Sequence, residues 1–334
     1  MTGQRRFFPA LILFVLSPIV AELLTSSSPP VLFFSPFGLT VMLALYGSGA
    51  LLARELTVRW KKGWPTLIAL GAAYGIAEEG LMVKSFFDPH WPGIGLLGTY
   101  GRAGGVNWVW SVQLMLFHSL FSITIPIILV GLLFPRARGK SLLGTGGVII
   151  FSSLLVVDVF VAGMGLTKYA PPPVPYILTV FACVGLVILA RFLPEQVLPG
   201  TGAGGFSMTD QTPGRRSAPI PFYLLGLGAT VAFFLLSWVV PGLPVPPVVN
   251  VAIVLLVVGG MCMGAWRLRE GFSFGELDQW ALAAGALSFF VLLSPLIQLD
   301  RNRTNLQGMA IVGLGMAAFL VLVFILVSRR VKGR

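Results

Sequence analysis

Residues 107–140 read NWVWSVQLMLFHSLFSITIPIILVGLLFPRARGK, a run in which His118 is the one ionisable side chain until Arg136, Arg138 and Lys140 arrive. At 1.5 Å per residue the stretch 107–134 is long enough to cross roughly 30 Å of hydrocarbon as a helix. A bilayer core leaves backbone N–H and C=O groups no partner but each other, and a helix satisfies them within the segment. The basic cluster at its end marks the face on which the span stops.

The same unit recurs along the chain. Apolar stretches at about 7–24, 31–53, 65–83, 107–134, 142–166, 174–194, 219–240, 246–266, 279–299 and 309–328 predict an all-α polytopic transmembrane bundle of about ten helices. The short alternating strands of a membrane barrel are not visible. Composition agrees: 56% of the 334 residues are hydrophobic and 10% charged, whereas a soluble domain carries roughly a quarter charged residues.

A net charge of +11 raises the question of nucleic acid. The basic residues fall in small clusters between apolar stretches, so the partner they imply is an anionic lipid bilayer and no nucleic acid. With the N-terminus cytoplasmic, 18 of the 23 Lys and Arg residues lie on the cytoplasmic side, and Lys84, Arg102, Lys168, Arg301 and Arg303 lie opposite. A missed or invented span would scramble that alternation. The expected location is therefore a prokaryotic plasma membrane with both termini inside. Arg5 and Arg6 precede an apolar run as in a secretory signal, but Glu22 stands where small cleavage-site residues belong, which predicts a retained first helix.

Connections differ in kind. Pro171 to Pro175 and Pro241 to Pro247 are short proline-rich turns suited to tight helical hairpins. The loop 195–219 is rich in Gly, Ser, Thr and Pro and reads as a flexible cytoplasmic linker. Its Gly200, Gly202 and Gly205 spell a nominal dinucleotide fingerprint, but no strand precedes them. Cys183 and Cys262 lie inside spans and match no metal or redox spacing, so they read as packing residues. The stretch from Pro171 to Glu195 echoes that from Pro246 to Glu270, a candidate hairpin duplication. Asn302, Arg303 and Thr304 form a glycosylation sequon without other secretory signals.

Ionisable residues divide the chain. Spans one to five carry Glu22, Glu78, Glu79, His118 and Asp158, whereas spans six to ten carry essentially none in their interiors. The expected organisation is a polar-bearing region at 1–168 and a helical scaffold at 169–334. Burying a carboxylate in hydrocarbon costs several kcal/mol unless it is protonated, paired or wetted, so such residues mark function.

Depth estimates put Glu78 and Glu79 roughly 20 Å above the cytoplasmic end of their helix. His118 falls near the midplane and Asp158 between the two. Tyr74 shares a face with Glu78, and Ser111, His118 and Ser122 share one face of the fourth span. Neighbouring Glu78 and Glu79 should point ~100° apart, one toward His118 and the other toward Lys84, Arg102 or Tyr74.

A carboxyl in a dry pocket can take a proton from water, and an imidazole can hold that water or stabilise an oxyanion. Glu78, Glu79, His118 and Asp158 are thus the candidate catalytic residues, with Tyr74, Ser111, Ser122 and Arg102 as candidate substrate contacts. Bland roles stand beside these: an interfacial glutamate pair, a histidine packed across helices, and an aspartate paired with Lys168 or a tyrosine. No cofactor is implied. With two histidines in the chain, a zinc site would need carboxylates for its other ligands. The segment from Lys84 to Asn107, rich in aromatics, reads as an interfacial lid or anchor.

Paired glutamates on one membrane helix and a histidine on the next resemble the CPBP family of intramembrane proteases, which includes CAAX prenyl endopeptidases and bacteriocin-processing proteins. The family pattern is EExxxR, FxxxH and HxxxN or HxxxD. Here Glu78-Glu79-Gly80-Leu81-Met82-Val83 has Val in place of Arg, with Lys84 one position later. Leu114 to His118 keeps the His without the leading Phe, and Leu154 to Asp158 keeps the acid without the second His. The resemblance covers roughly residues 65–165. It implies that Glu78 or Glu79 activates water and that His118 stabilises the intermediate.

Three functions follow as expectations. The first is a membrane-embedded hydrolase acting on a membrane peptide or lipid-like substrate. The others are a proton- or cation-coupled permease and a non-catalytic assembly subunit. A compact polar site closed toward one face favours hydrolysis, a polar path to both faces favours transport, and plain internal pairing favours structure.

Overall fold

The computed structural model describes residues 3–194, 217–272, 274–300 and 304–333. The expected linker at 195–219 lies, up to residue 216, outside the described residues, as do the glycine fingerprint and the sequon asparagine. Ten long helices fill the rest. Helix α1 runs Gly3–Pro18 and continues as π-helix through Ile19–Leu23, and α2 is Pro36–Arg59. Helix α3 is Trp64–Gly75 continued by Ile76–Met82, α4 is Trp108–Leu133 and α5 is Thr145–Leu166. The remainder are α6 (Pro173–Phe192), α7 (Pro219–Trp238), α8 (Pro247–Gly271), α9 (Glu276–Ile297) and α10 (Met309–Lys332).

Nine of these, among the described residues, are long and apolar enough to span a bilayer. The exception is α3, whose two glutamates dilute its hydropathy although it forms one helix from Trp64 to Met82. The second span also needs correction. It does not start at 31, because Pro36 pushes the preceding residue out of helical conformation. Ser35 is extended there and its Oγ accepts the amide of Gly38 at 3.0 Å, so α2 starts at Pro36 and runs on to Arg59.

Helix α4 is the hub: 78% of its most apolar window is buried, against 6% for α6. It touches α1, α2, α3, α8, α9 and α10. Peripheral helices instead point Ile149, Phe181 and Leu256 outward, as lipid-facing helices must. In lipid no hydrophobic drive presses helices together, so close approach depends on small residues. Gly226 of α7 and Gly285 of α9 supply it: a Cβ on Gly226 would sit 2.3 Å from the Leu282 carbonyl oxygen, and one on Gly285 would sit 2.1 Å from that of Tyr223.

Polar clamps close the end that carries the termini. Glu55 accepts Arg59 at 2.8 Å and the backbone amides of Leu142 and Leu143 at 2.9 and 3.2 Å, and Ser141 donates to it as well. Arg54 donates to the carbonyls of Ala137 and Lys140. Glu276 faces Arg138 and Arg330 at 3.7 and 3.5 Å. The buried acids Glu276 and Asp278 therefore stand at the start of α9, in a half whose spans read as free of interior charge.

At the opposite end, residues 84–107 fold as a cap. Arg102–Ala103 pairs with Val106–Asn107 across Gly104 and Gly105, both at positive φ, the geometry of a two-residue hairpin turn. The Tyr100 hydroxyl donates to the Val245 carbonyl at 3.0 Å, tying the cap to the turn after α7.

The α7–α9 crossing carries a prediction. Gly285→Ala forces two backbones apart and lowers stability by about 1–3 kcal/mol, whereas Gly228→Ala, with open space around its Cβ, leaves it unchanged or raises it. Thermal unfolding of both variants in detergent checks this.

Candidate functional site

Five π-helical segments occur among the described residues: Ile19–Leu23, Leu43–Gly47, Ile76–Met82, His118–Thr124 and Asp158–Ala162. Each carries a polar residue of one neighbourhood: Glu22, Tyr46, Glu78 with Glu79, His118 with Ser122, and Asp158. A π-turn inserts a residue into the helical ladder and re-aims the side chains around it. In all five helices the winding changes where the polar groups meet.

His118 is the centre of that neighbourhood and is fully buried. Its Nδ1 lies 3.2 Å from Glu78 Oε2 and 2.9 Å from Ser122 Oγ, and its Nε2 lies 3.1 Å from Glu79 Oε1. Both glutamates thus address the same imidazole from opposite edges. The sequence expectation gave only one of them to His118. It assumed α-helical spacing, which the π-turn at Ile76–Met82 replaces. The expected difference in depth vanishes too, because α3 and α4 meet at this level.

What brings them together is a pair of glycines one turn apart. A Cβ on Gly71 would lie 2.7 Å from Ser119 Cα, and one on Gly75 would lie 3.2 Å from His118 Cβ and from Met115 Cα. The close crossing of α3 and α4 is the small-residue packing of membrane helices.

A second layer surrounds the pair. Tyr46 Oη contacts Glu78 Oε1 and Glu22 Oε1, the latter at 2.6 Å. Ser28 Oγ donates to Glu22 Oε2 at 2.7 Å. Glu79 Oε2 accepts from Ser85, whose Oγ in turn accepts the Trp110 indole N–H at 3.0 Å. The Tyr74 ring lies 5.8 Å from that of Tyr46 and 5.9 Å from the imidazole. Asp158 is buried within electrostatic reach of Tyr74, and its Oδ2 has no hydrogen-bond partner.

Of the eight residues singled out in the sequence, Glu78, Glu79, His118, Tyr74 and Ser122 converge, with Asp158 beside them. Two do not. Ser111 Oγ donates to the Asn107 carbonyl of its own helix at 2.7 Å, as membrane serines do when no neighbour offers a partner. Arg102 is held in the cap by the carbonyls of Phe87 and Gly105. Lys168 makes no ion pair with Asp158 among the described residues, and Asp88 only turns back onto the His90 amide.

Glu22, Tyr46, Ser28 and Ser85 were missing from the sequence-derived set. Glu22 stood out as a charge in a span, but nothing in the sequence joined it to residues fifty positions away. Tyr46, unlike Tyr74, has no ionisable residue three or four positions along its own helix to single it out.

One donor atom each from Glu78, Glu79 and His118 lies within 4.8 Å of the others, close enough to share an ion. Glu79 and His118 are hydrogen-bonded by their neighbours and Glu78 through Oε1 alone, while Glu78 Oε2 faces His118 Nδ1 without accepting a hydrogen bond.

A family profile for an uncharacterized membrane protein family matches residues 11–332, nearly the whole chain. The chain belongs to that family. No curated protein and no solved structure matches it. Membership makes the chain a multi-pass membrane protein embedded in lipid, in agreement with the helical bundle. The CPBP resemblance draws no support from these comparisons.

Removing the imidazole would leave two buried carboxylates without a cation. His118→Ala should therefore lower stability by about 3 kcal/mol or more. Ser111→Ala, which loses one bond to its own helix, should cost about 1 kcal/mol or less. Unfolding in detergent micelles measures both.

Proposed function

We propose that this chain is a membrane-embedded hydrolase of the glutamate and histidine type, with its reaction centre at Glu78, Glu79 and His118. The observation that carries the reading is the placement of two acids and one imidazole on adjacent helices. They are buried together and connected by polar groups toward the end of the bundle away from the termini. Toward the termini the cluster rests on Leu13, Leu67, Leu70 and Ile127, all buried and apolar. A polar cluster continued by hydroxyl and indole groups toward one end, and backed by apolar side chains toward the other, suits hydrolysis better than passage across the membrane.

In this reading the carboxylate of Glu78 or Glu79 takes a proton from water as the water oxygen bonds to a substrate carbonyl carbon. His118 donates a hydrogen bond to the oxyanion that forms. The carboxyl then returns its proton to the leaving amine or alkoxide as the bond to carbon breaks. Asp158, with an unsatisfied oxygen beside Tyr74, is placed to receive a polar group of the substrate. Helices α6 to α10 serve as scaffold.

The motif resemblance at 65–165 supports the same chemistry, that of a CPBP-like intramembrane protease. The basic-residue alternation supports a prokaryotic plasma membrane with both termini cytoplasmic. The site then lies toward the outer leaflet, the side from which a membrane peptide or a lipid-like ester would approach it.

Reconstituted protein tests the proposal on a panel of fluorogenic membrane peptides and lipid esters. Wild type should cleave at least one of them, and Glu78→Gln or Glu79→Gln should reduce turnover on it by at least ~10²-fold. Cleavage unaffected by both substitutions would refute the assignment. So would proton-driven solute uptake by wild type without any cleavage, which would make the protein a permease.

A further inference from the structure

We infer that Glu22, Tyr46 and Glu78 form a proton relay that stores at least one proton and links the buried cluster to the chain surface at Ser28. The inference rests on hydrogen counting and stands without the hydrolase reading. Tyr46 Oη carries one hydrogen, yet it contacts a carboxyl oxygen of Glu22 and one of Glu78. It can donate to one of them only. The other contact is attractive only if that second carboxyl is itself protonated and donates to the phenol oxygen.

Charge balance leads to the same result. The groups facing one another are Glu22 from α1, Tyr46 from α2, Tyr74, Glu78 and Glu79 from α3, His118 from α4 and Asp158 from α5. Four of these are acids and one is a base, and no lysine or arginine pairs with them among the described residues. Even a doubly protonated imidazole balances one carboxylate. Uncompensated charge at this depth costs several kcal/mol per group, and a carboxyl escapes that cost by taking a proton.

The path has a direction. Glu78 and Tyr46 are buried, Glu22 is partly exposed, and Ser27, beside Ser28, is exposed. Ser28 Oγ to Glu22 Oε2 is 2.7 Å and Tyr46 Oη to Glu22 Oε1 is 2.6 Å, so successive links are within proton-transfer range. Beyond Glu78 the contact with His118 Nδ1 is an ion pair at 3.2 Å, not a hydrogen bond, and His118 Nε2 meets Glu79 at 3.1 Å. A proton entering at the loop after α1 reaches Glu78 without bulk water entering the bundle.

Infrared spectroscopy of the full chain in lipid tests this, recorded in an Asp158→Asn background so that Asp158 contributes no signal. A carbonyl band from a protonated carboxylic acid should be present at neutral pH. Glu22→Gln or Glu78→Gln, each isosteric, should reduce it. Tyr46→Phe, which keeps the ring and removes the bridge, should slow its hydrogen–deuterium exchange at least tenfold. The inference fails if that band is missing at neutral pH, or if its exchange in the Tyr46→Phe variant is as fast as in protein that keeps Tyr46. A stoichiometric metal ion in the purified protein would also overturn it, since the ion would then carry the balancing charge.

Discussion

The imidazole of His118, held between the carboxylates of Glu78 and Glu79, is the contact on which the rest of this structure depends. In hydrocarbon neither acid is tolerable alone, and removing one partner of a buried pair leaves the other without compensation. The pairing therefore fixes how α3 and α4 cross. Gly71 and Gly75 permit that crossing: a Cβ on Gly71 would collide with the Ser119 backbone, and one on Gly75 would crowd His118 Cβ and the Met115 backbone. Cluster and crossing form one feature, since the glycines have this use only because the charged groups must meet.

Around this contact the fold divides its labour. The five helices that feed the cluster all change from α- to π-winding where they reach it, which spends regular helix geometry on the aim of a few side chains. Such departures gather at functional sites and persist where surrounding packing holds them. The opposite end is held by conventional means: Glu55 gathers the 141–143 loop, and Glu276 draws Arg138 and Arg330 toward α9. Clamped at one end and polar-threaded at the other, the bundle gathers Glu22, Glu78, Glu79, His118 and Asp158 in one neighbourhood away from the termini.

Most of the architecture was legible in the sequence, because the bilayer imposes length and hydropathy on every span. Nine of the ten predicted spans lie within a few residues of their helices. Ser35-Pro36 shifted the second, and the glutamate pair alone makes the third less apolar than a membrane helix. The convergence of Glu78, Glu79 and His118 was legible as well, since ionisable residues are scarce in such spans. Tyr46, Ser28 and Ser85 were not, because hydroxyl-bearing residues are common in membrane helices and carry no cost that betrays them. The meeting of both glutamates on one ring was hidden for a different reason: helical-wheel spacing presumes α-winding, and the π-turn at Ile76–Met82 removes that premise.

The central contact can be measured directly because the chain has only two histidines, His118 and His90. In protein labelled with 15N at histidine and 13C at glutamate carboxyls, solid-state NMR in lipid should show one imidazole with both nitrogens close to glutamate carboxyl carbons. The second, from His90 in the cap, should show none. Two imidazoles that both lack carboxyl contacts and both titrate like free histidine would contradict the account at its root.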